Sequence, residues 1–74
     1  MTLLKSIEVL AESDQSWEDA ARRGIRIASQ TIRNIRSISV TNFEAVVADG
    51  EIRLFRVHAK IAFALEPTDD GVAR

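Results

Sequence analysis

Apolar and polar residues alternate from the start of the chain. In LLKSIEVLAES, Lys5, Ile7, Val9 and Ala11 fall to one side, and Leu4, Ser6, Glu8 and Leu10 to the other. A period of two carried by Ile and Val predicts a first strand over about Leu3–Ala11. The polar turn ESDQS follows, and Ser16 is a good helix N-cap. Asp19 stands three residues on, with Glu18 beside it, so the start is a capping box with Asp in place of Glu, and both acids suit the positive end of the helix. From Trp17 the period changes to three and four: Trp17, Ala20, Ala21, Gly24, Ala28, Thr31, Ile32 and Ile35 mark one helical face. Arg22, Arg23, Arg26, Arg33 and Arg36 take other faces or the last turn, where positive charge complements the dipole. The small residues on the apolar face let the helix axis lie close to a sheet. Gly24 costs about 1 kcal/mol of helix propensity against Ala, so close packing is its expected purpose.

After Asn34 the alternation returns. Ser37, Ser39, Thr41 and Phe43 share one side of a second strand, and Ile38, Val40, Asn42 and Glu44 the other. Asp49-Gly50 predicts a hairpin, because both residues tolerate positive φ. The third strand is the clearest: Phe55, Val57, Ala59, Ile61, Phe63 and Leu65 form one apolar face, opposed by Ile52, Leu54, Arg56, His58, Lys60, Ala62 and Ala64. Pro67 ends it. The expected organisation is a single domain over residues 1–66 and a flexible tail over 67–74. Its class is α+β: β-α-β-β, with a three-stranded antiparallel sheet packed on one helix. The apolar face of the third strand goes under the helix with Ile38 and Val40. The other sheet face, with Ser37, Ser39, Thr41, Phe43, Arg56, His58 and Lys60, is left to meet another subunit or a ligand.

Composition sharpens this. A 74-residue chain buries only about 60% of its unfolded surface, and small domains compensate with disulfides, a metal or oligomerisation. There is no cysteine and a single histidine, which leaves oligomerisation as the expected remedy. Ten basic residues against eleven acidic ones, a net charge of −1, lack the basic excess of a nucleic-acid binder. No apolar run approaches the ~20 residues of a membrane span. The N-terminal MTLLKSIEVL has no basic n-region or cleavage site of a signal peptide. A cytoplasmic protein that binds neither nucleic acid nor membrane is expected.

The element order, the helix SWEDAARRGIRIASQTIRNIR, the turn ADGEI and the last strand FRVHAKIAFALEP resemble dodecins over about Lys5–Glu66. The resemblance implies a hollow homo-dodecamer of cubic symmetry that holds pairs of flavins between subunits, for storage of riboflavin or FMN and quenching of flavin photochemistry. The family stacks the flavin on a tryptophan just after the helix, in a pattern like N-(L/I/V)-x-W. That position here is Ser37, after Asn34-Ile35-Arg36. A glutamine in the last strand, in a pattern like Y-Q-V, bonds the ring's polar edge, and the matching residue is Arg56, in Phe55-Arg56-Val57. Trp17, the only tryptophan, matches an aromatic at the start of the family's helix and is expected in the core. Stacking is worth about 0.5–1.5 kcal/mol beyond the area buried, so a flavin held in the family's usual way lacks both main contacts here. Arg56 offers donors to a carbonyl edge or a phosphate instead.

The candidate ligand positions are therefore Ser37 and Arg56, with Ser39 and His58 beside them. Arg56, His58 and Lys60 read either as an anion-binding stripe or as a row salt-bridged to acids such as Glu44 or Glu51. Some dodecin relatives without the tryptophan are associated with metal ions. Glu8, Glu12, Asp14, Glu44 and Asp49 supply oxygens suited to a hard cation, but no spacing resembles a calcium loop, and the metal ligands stay unassigned. For catalysis the sole candidate is His58 near a serine of the second strand, with no third group to orient it. Non-catalytic binding or sequestration of a small molecule is the expected function. Flavin is the family's ligand; an anion, a coenzyme phosphate, a metal cation or a purely structural assembly are the alternatives.

Overall fold

A computed structural model describes residues 2–65, so the expected tail at 67–74 lies outside the described residues. The elements are β1 (Leu4–Ser13), α1 (Trp17–Ala28), β2 (Ile35–Ala48) and β3 (Glu51–Ala64). The sheet order is β1-β3-β2, with both pairings antiparallel. The most continuously apolar strand thus takes the centre, where both of its edges are hydrogen-bonded. The expected β-α-β-β fold with one helix on a three-stranded antiparallel sheet is observed.

The core lies between α1 and one face of the sheet. Val57, Ala59 and Ile61 on β3 are buried beneath Ala20 of the helix. Gly24 performs the role its position implied: a Cβ there would lie 3.1 Å from that of Ala11. The Asp49-Gly50 turn has φ of 55° and 74°, the left-handed pair that matches the twist of a two-residue hairpin.

The helix begins as expected, with the Ser16 hydroxyl accepting the Asp19 N–H at 2.9 Å. The Asp19 carboxylate does not return to the cap. It accepts from the Ser13 hydroxyl and from Arg23 at 2.8 Å, tying β1 to α1. The helix ends at Ala28, short of the Thr31-Ile32-Ile35 continuation that the periodicity predicted. The Ser29 hydroxyl donates to the Ile25 carbonyl at 2.7 Å, and the N–H groups of Thr31 and Ile32 converge on the Ala28 carbonyl. Asn34 then turns the chain with φ of 64°, a conformation Asn tolerates better than most residues. The apolar spacing runs on because Ile32 and Ile35 are still half-buried, although their backbone is no longer helical.

Three further expectations need correction. The first concerns β2, whose register shifts between Ile35 and Ser37, between Val40 and Asn42, and between Val46 and Val47. The second shift makes Thr41 an extra residue and reverses the parity after it. Phe43 therefore lies opposite Val57 on the helix side, and Glu44 lies opposite Arg56 on the open side, the reverse of uninterrupted alternation. Second, Trp17 is not in the core but 36% exposed. It stands where the long hairpin runs past the helix, edge-on to Phe43 and Phe55 with centroids 5.9 and 4.9 Å away, and its indole N–H donates to the Glu44 carbonyl at 2.8 Å. Third, α1 lies over β1 and β3 and barely reaches β2, so Val40 stays partly exposed. Two strand ends also differ: β1 runs two residues beyond Ala11, and β3 stops at Ala64, leaving Leu65 outside the strand and exposed.

Candidate functional site

The sheet face opposite the helix is uncovered, and the register orders it into cross-strand rows. From one end they read Ser6–Ala62–Ser37, Glu8–Lys60–Ser39, Leu10–His58–Asn42 and Glu12–Arg56–Glu44, each in the order β1–β3–β2. Directly opposed side chains in such rows interact, and the last two rows form one connected ion network.

Arg56 is its centre. Its Nη2 and Nε lie 2.6 and 2.7 Å from one oxygen of Glu12, and its Nη1 lies 3.4 Å from Glu44. The same Glu44 oxygen is 2.7 Å from Nε2 of His58. The hydrogen bond from His58, reinforced by Arg56, holds the Glu44 carboxyl below the ordinary glutamate range in spite of some desolvation. The hydrogen bond with Glu12 correspondingly raises the Arg56 guanidinium. Beside this network is an open depression of about 400 Å³ lined by Glu8, Leu10, Thr41 and His58, and the Thr41 hydroxyl donates to the His58 carbonyl at 3.1 Å.

All four candidate residues, Ser37, Ser39, Arg56 and His58, are on this open face. They do not form one cluster. Ser37 is opposite Ala62, six positions along β3 from Arg56, which at 3.3 Å per residue separates them by about 20 Å. Ser39 is one row from His58, whereas His58 and Arg56 are neighbours through Glu44. Of the two readings of the Arg56–His58–Lys60 stripe, the salt-bridged one describes Arg56 and His58. Glu51 is not involved; it lies 3.5 Å from Arg53 instead. Glu12 is the partner that sequence reasoning missed, because the expected strand ended at Ala11. Its even parity with Glu8 and Leu10 was the available signal, and the longer β1 brings it onto the open face.

His58 faces Leu10 and Asn42 and bonds Glu44, and Ser39 lies in the next row. Among the described residues no three Asp, Glu or His side chains gather as a metal site. Among the same residues no helix is long and apolar enough to cross a membrane.

Solved structures share this fold. Dodecin from Streptomyces coelicolor is 28% identical with a TM-score of 0.84, the match covering 90% of this chain and 96% of that one. Dodecin from Streptomyces davaonensis is also 28% identical, with a TM-score of 0.83 and coverage of 88% and 96%. The calcium-chelating calcium dodecin of Mycobacterium tuberculosis is 27% identical, with a TM-score of 0.76 and coverage of 89% and 94%. No curated protein matches the chain significantly by sequence. The dodecin family model matches residues 3–66, which include every residue of the sheet and the helix, and the chain belongs to the dodecin family.

Proposed function

We propose that this chain is a non-catalytic, cytoplasmic subunit that assembles with copies of itself, as the family's dodecamer, and holds a small ligand between the open sheet faces of adjoining copies. The observation that carries this reading is the separation of Ser37 from Arg56. At about 20 Å along one face, the two family ligand positions serve a single site only when different copies supply them. The exposed apolar side chains of Leu10, Val47 and Ile52 add surface that self-association would cover. Ser37 and Ser39 line one part of such a site, and Arg56 and His58 the other.

Flavin, as riboflavin or FMN, is the first ligand to test, with its usual platform absent. Ser37 removes the stacking surface, and three of the five N–H donors of Arg56 are directed at Glu12 and Glu44. The second reading is a cation. It is favoured by the Mycobacterium tuberculosis relative, which is described as calcium-chelating, and by the carboxylates of Glu8 and Glu12 on a face that meets other copies.

Size-exclusion chromatography with light scattering tests the assembly, and a stable monomer at tens of micromolar (a range corresponding to roughly −6 kcal/mol) would overturn it. Riboflavin fluorescence is then titrated with the wild type and with Ser37→Trp/Arg56→Gln. The expected result is strong quenching by the double variant and much weaker quenching by the wild type. Quenching by neither sinks the flavin reading, and calcium calorimetry on the same samples decides the cation one.

A further inference from the structure

The far end of the hairpin packs on nothing in its own chain. β1 accompanies β3 only as far as the Ser13–Phe55 pair, whereas β2 and β3 stay paired to Ala48 and Glu51. Beyond Phe55 the sheet is therefore a two-stranded arm, and such a ribbon is marginal in water by itself. α1 gives it no cover, because the helix starts at Trp17 beside Phe43 and Phe55 and comes alongside Ile38 by Ile25. Val47 and Ile52, directly opposed on the arm, are 61% and 55% exposed. The charged residues between Ala45 and Leu54 are Asp49, Glu51 and Arg53. Arg53 approaches the two carboxylates no closer than 3.9 and 3.5 Å, and both stay exposed. The tip is thus apolar with a net negative charge.

A second surface has the opposite character. Where α1 barely reaches β2, an open groove of about 400 Å³ is lined by Ala21, Ile25 and Ile38 together with Arg22 and Arg26. From Ala20 to Phe43 the chain has five arginines and no acid. Arg22 and Arg23 pair with Glu18 and Asp19, whereas Arg26, Arg33 and Arg36 pair with no carboxylate among the described residues. The groove is apolar and positive. Tip and groove cannot meet within one chain. Ile38 is opposite Ile61 and Val47 is opposite Ile52, nine positions apart along β3, or about 30 Å.

We propose that the hairpin tip of one copy docks in the α1–β2 groove of a second copy, with Val47 and Ile52 against Ile25 and Ile38, and Glu51 toward Arg26. This rests on the self-association proposed above and names a contact that drives it. Because tip and groove are different surfaces, the contact is heterologous, and its repetition builds a ring of copies where the rotation closes. The opposed charges orient the tip in the groove. Reversing one of them turns an attraction into a repulsion, about 30-fold in affinity for a pair 4 Å apart in water.

Mixed cross-linking tests the contact, since the chain has no cysteine of its own. Ala21→Cys and Val47→Cys proteins are unfolded together, refolded and treated with a short bismaleimide. A dimer joining the two variants is expected from the mixture, and little dimer from either protein alone. Dimer from Val47→Cys alone shows tip meeting tip and overturns the proposal. So does the absence of any cross-link in protein that light scattering shows to be assembled. A monomeric wild type instead overturns self-association itself, so the two failures are distinct. Charge provides a second arm, read in variants whose circular dichroism matches the wild type. Glu51→Arg and Arg26→Glu should each raise the concentration needed for assembly by at least about 30-fold, and the two together in one chain should recover most of that loss. A combined loss as large as the product of the single ones overturns the pairing.

Discussion

Replacing Ile61 by Ala tests the core where it is tightest. Ile61 is fully buried on the central strand, opposite Ile7 on β1 and Ile38 on β2, with Ala20 and Gly24 of the helix nearby. The substitution deletes three carbons, worth about 0.8 kcal/mol each in transfer, or roughly 2.4 kcal/mol. The void adds to this in proportion to the volume that fails to collapse. Collapse is restricted here, because the hydrogen-bonded strands on both sides are fixed and the closest helical residues are already small. A total of about 3–4 kcal/mol follows, inside the 2–5 kcal/mol typical of Ile→Ala. For a domain of this size that is a large part of the whole stability. Trp17 is the only tryptophan and there is no tyrosine, so urea unfolding followed by intrinsic fluorescence reports directly on the helix–hairpin joint. Protein concentration must be held fixed, since assembly contributes to apparent stability. The midpoint is expected to fall sharply with little change in slope. A loss below about 1 kcal/mol would refute the argument, because a fully buried branched side chain cannot be so cheaply removed from a close-packed seat.

Two other predictions follow from local geometry. Gly24→Val should lower stability by about 1–3 kcal/mol despite its release from glycine's helix penalty, because the added carbons approach Ala11 on β1, whose Cβ would be 3.1 Å from the first of them; thermal unfolding by circular dichroism gives the sign, and an increase in Tm contradicts the close contact. The Glu44 carboxyl is held below its ordinary range by His58 and Arg56, so its contribution is present above the ordinary glutamate pKa of about 4.3 and is lost as pH falls through the lower folded value. Glu44→Gln should flatten the acid side of the stability profile in that window, and urea midpoints that run parallel for wild type and variant below about pH 5 would show that the network adds nothing.

The same network bears on the proposed ligand site. Ser37 supplies no stacking surface, and Arg56 cannot act simply as a glutamine with a positive charge, because Glu12 and Glu44 already hold its fork. Restoring a family-like contact therefore takes more than a stacking residue. The carboxylates that orient Arg56 remain at the site, and replacing Arg56 alone leaves Glu12 and Glu44 without their shared counter-charge.

The local pattern of the chain determined the element types and their order. The change of period at Trp17, the Ser16 cap, the Asp49-Gly50 turn and the alternation of β3 each depend on residues close in sequence, whose preferences act wherever the chain is placed. The small stripe of Ala20, Gly24 and Ala28 also announced a helix lying close to a sheet. The dodecin resemblance pointed to Ser37 and Arg56 as candidate ligand positions. Other features depended on groups distant in sequence. Apolar periodicity could not show that the helix stops at Ala28, since Ile32 and Ile35 need cover whether or not their backbone is helical. Nor could it reveal the extra residue at Thr41, because a bulge is defined by the partner strand. That single residue moves Phe43 beside Trp17 and Glu44 beside Arg56 and His58. The residue types of the candidate site were legible in the sequence, but their pairing was decided by strand register, which fixes which charges share a face.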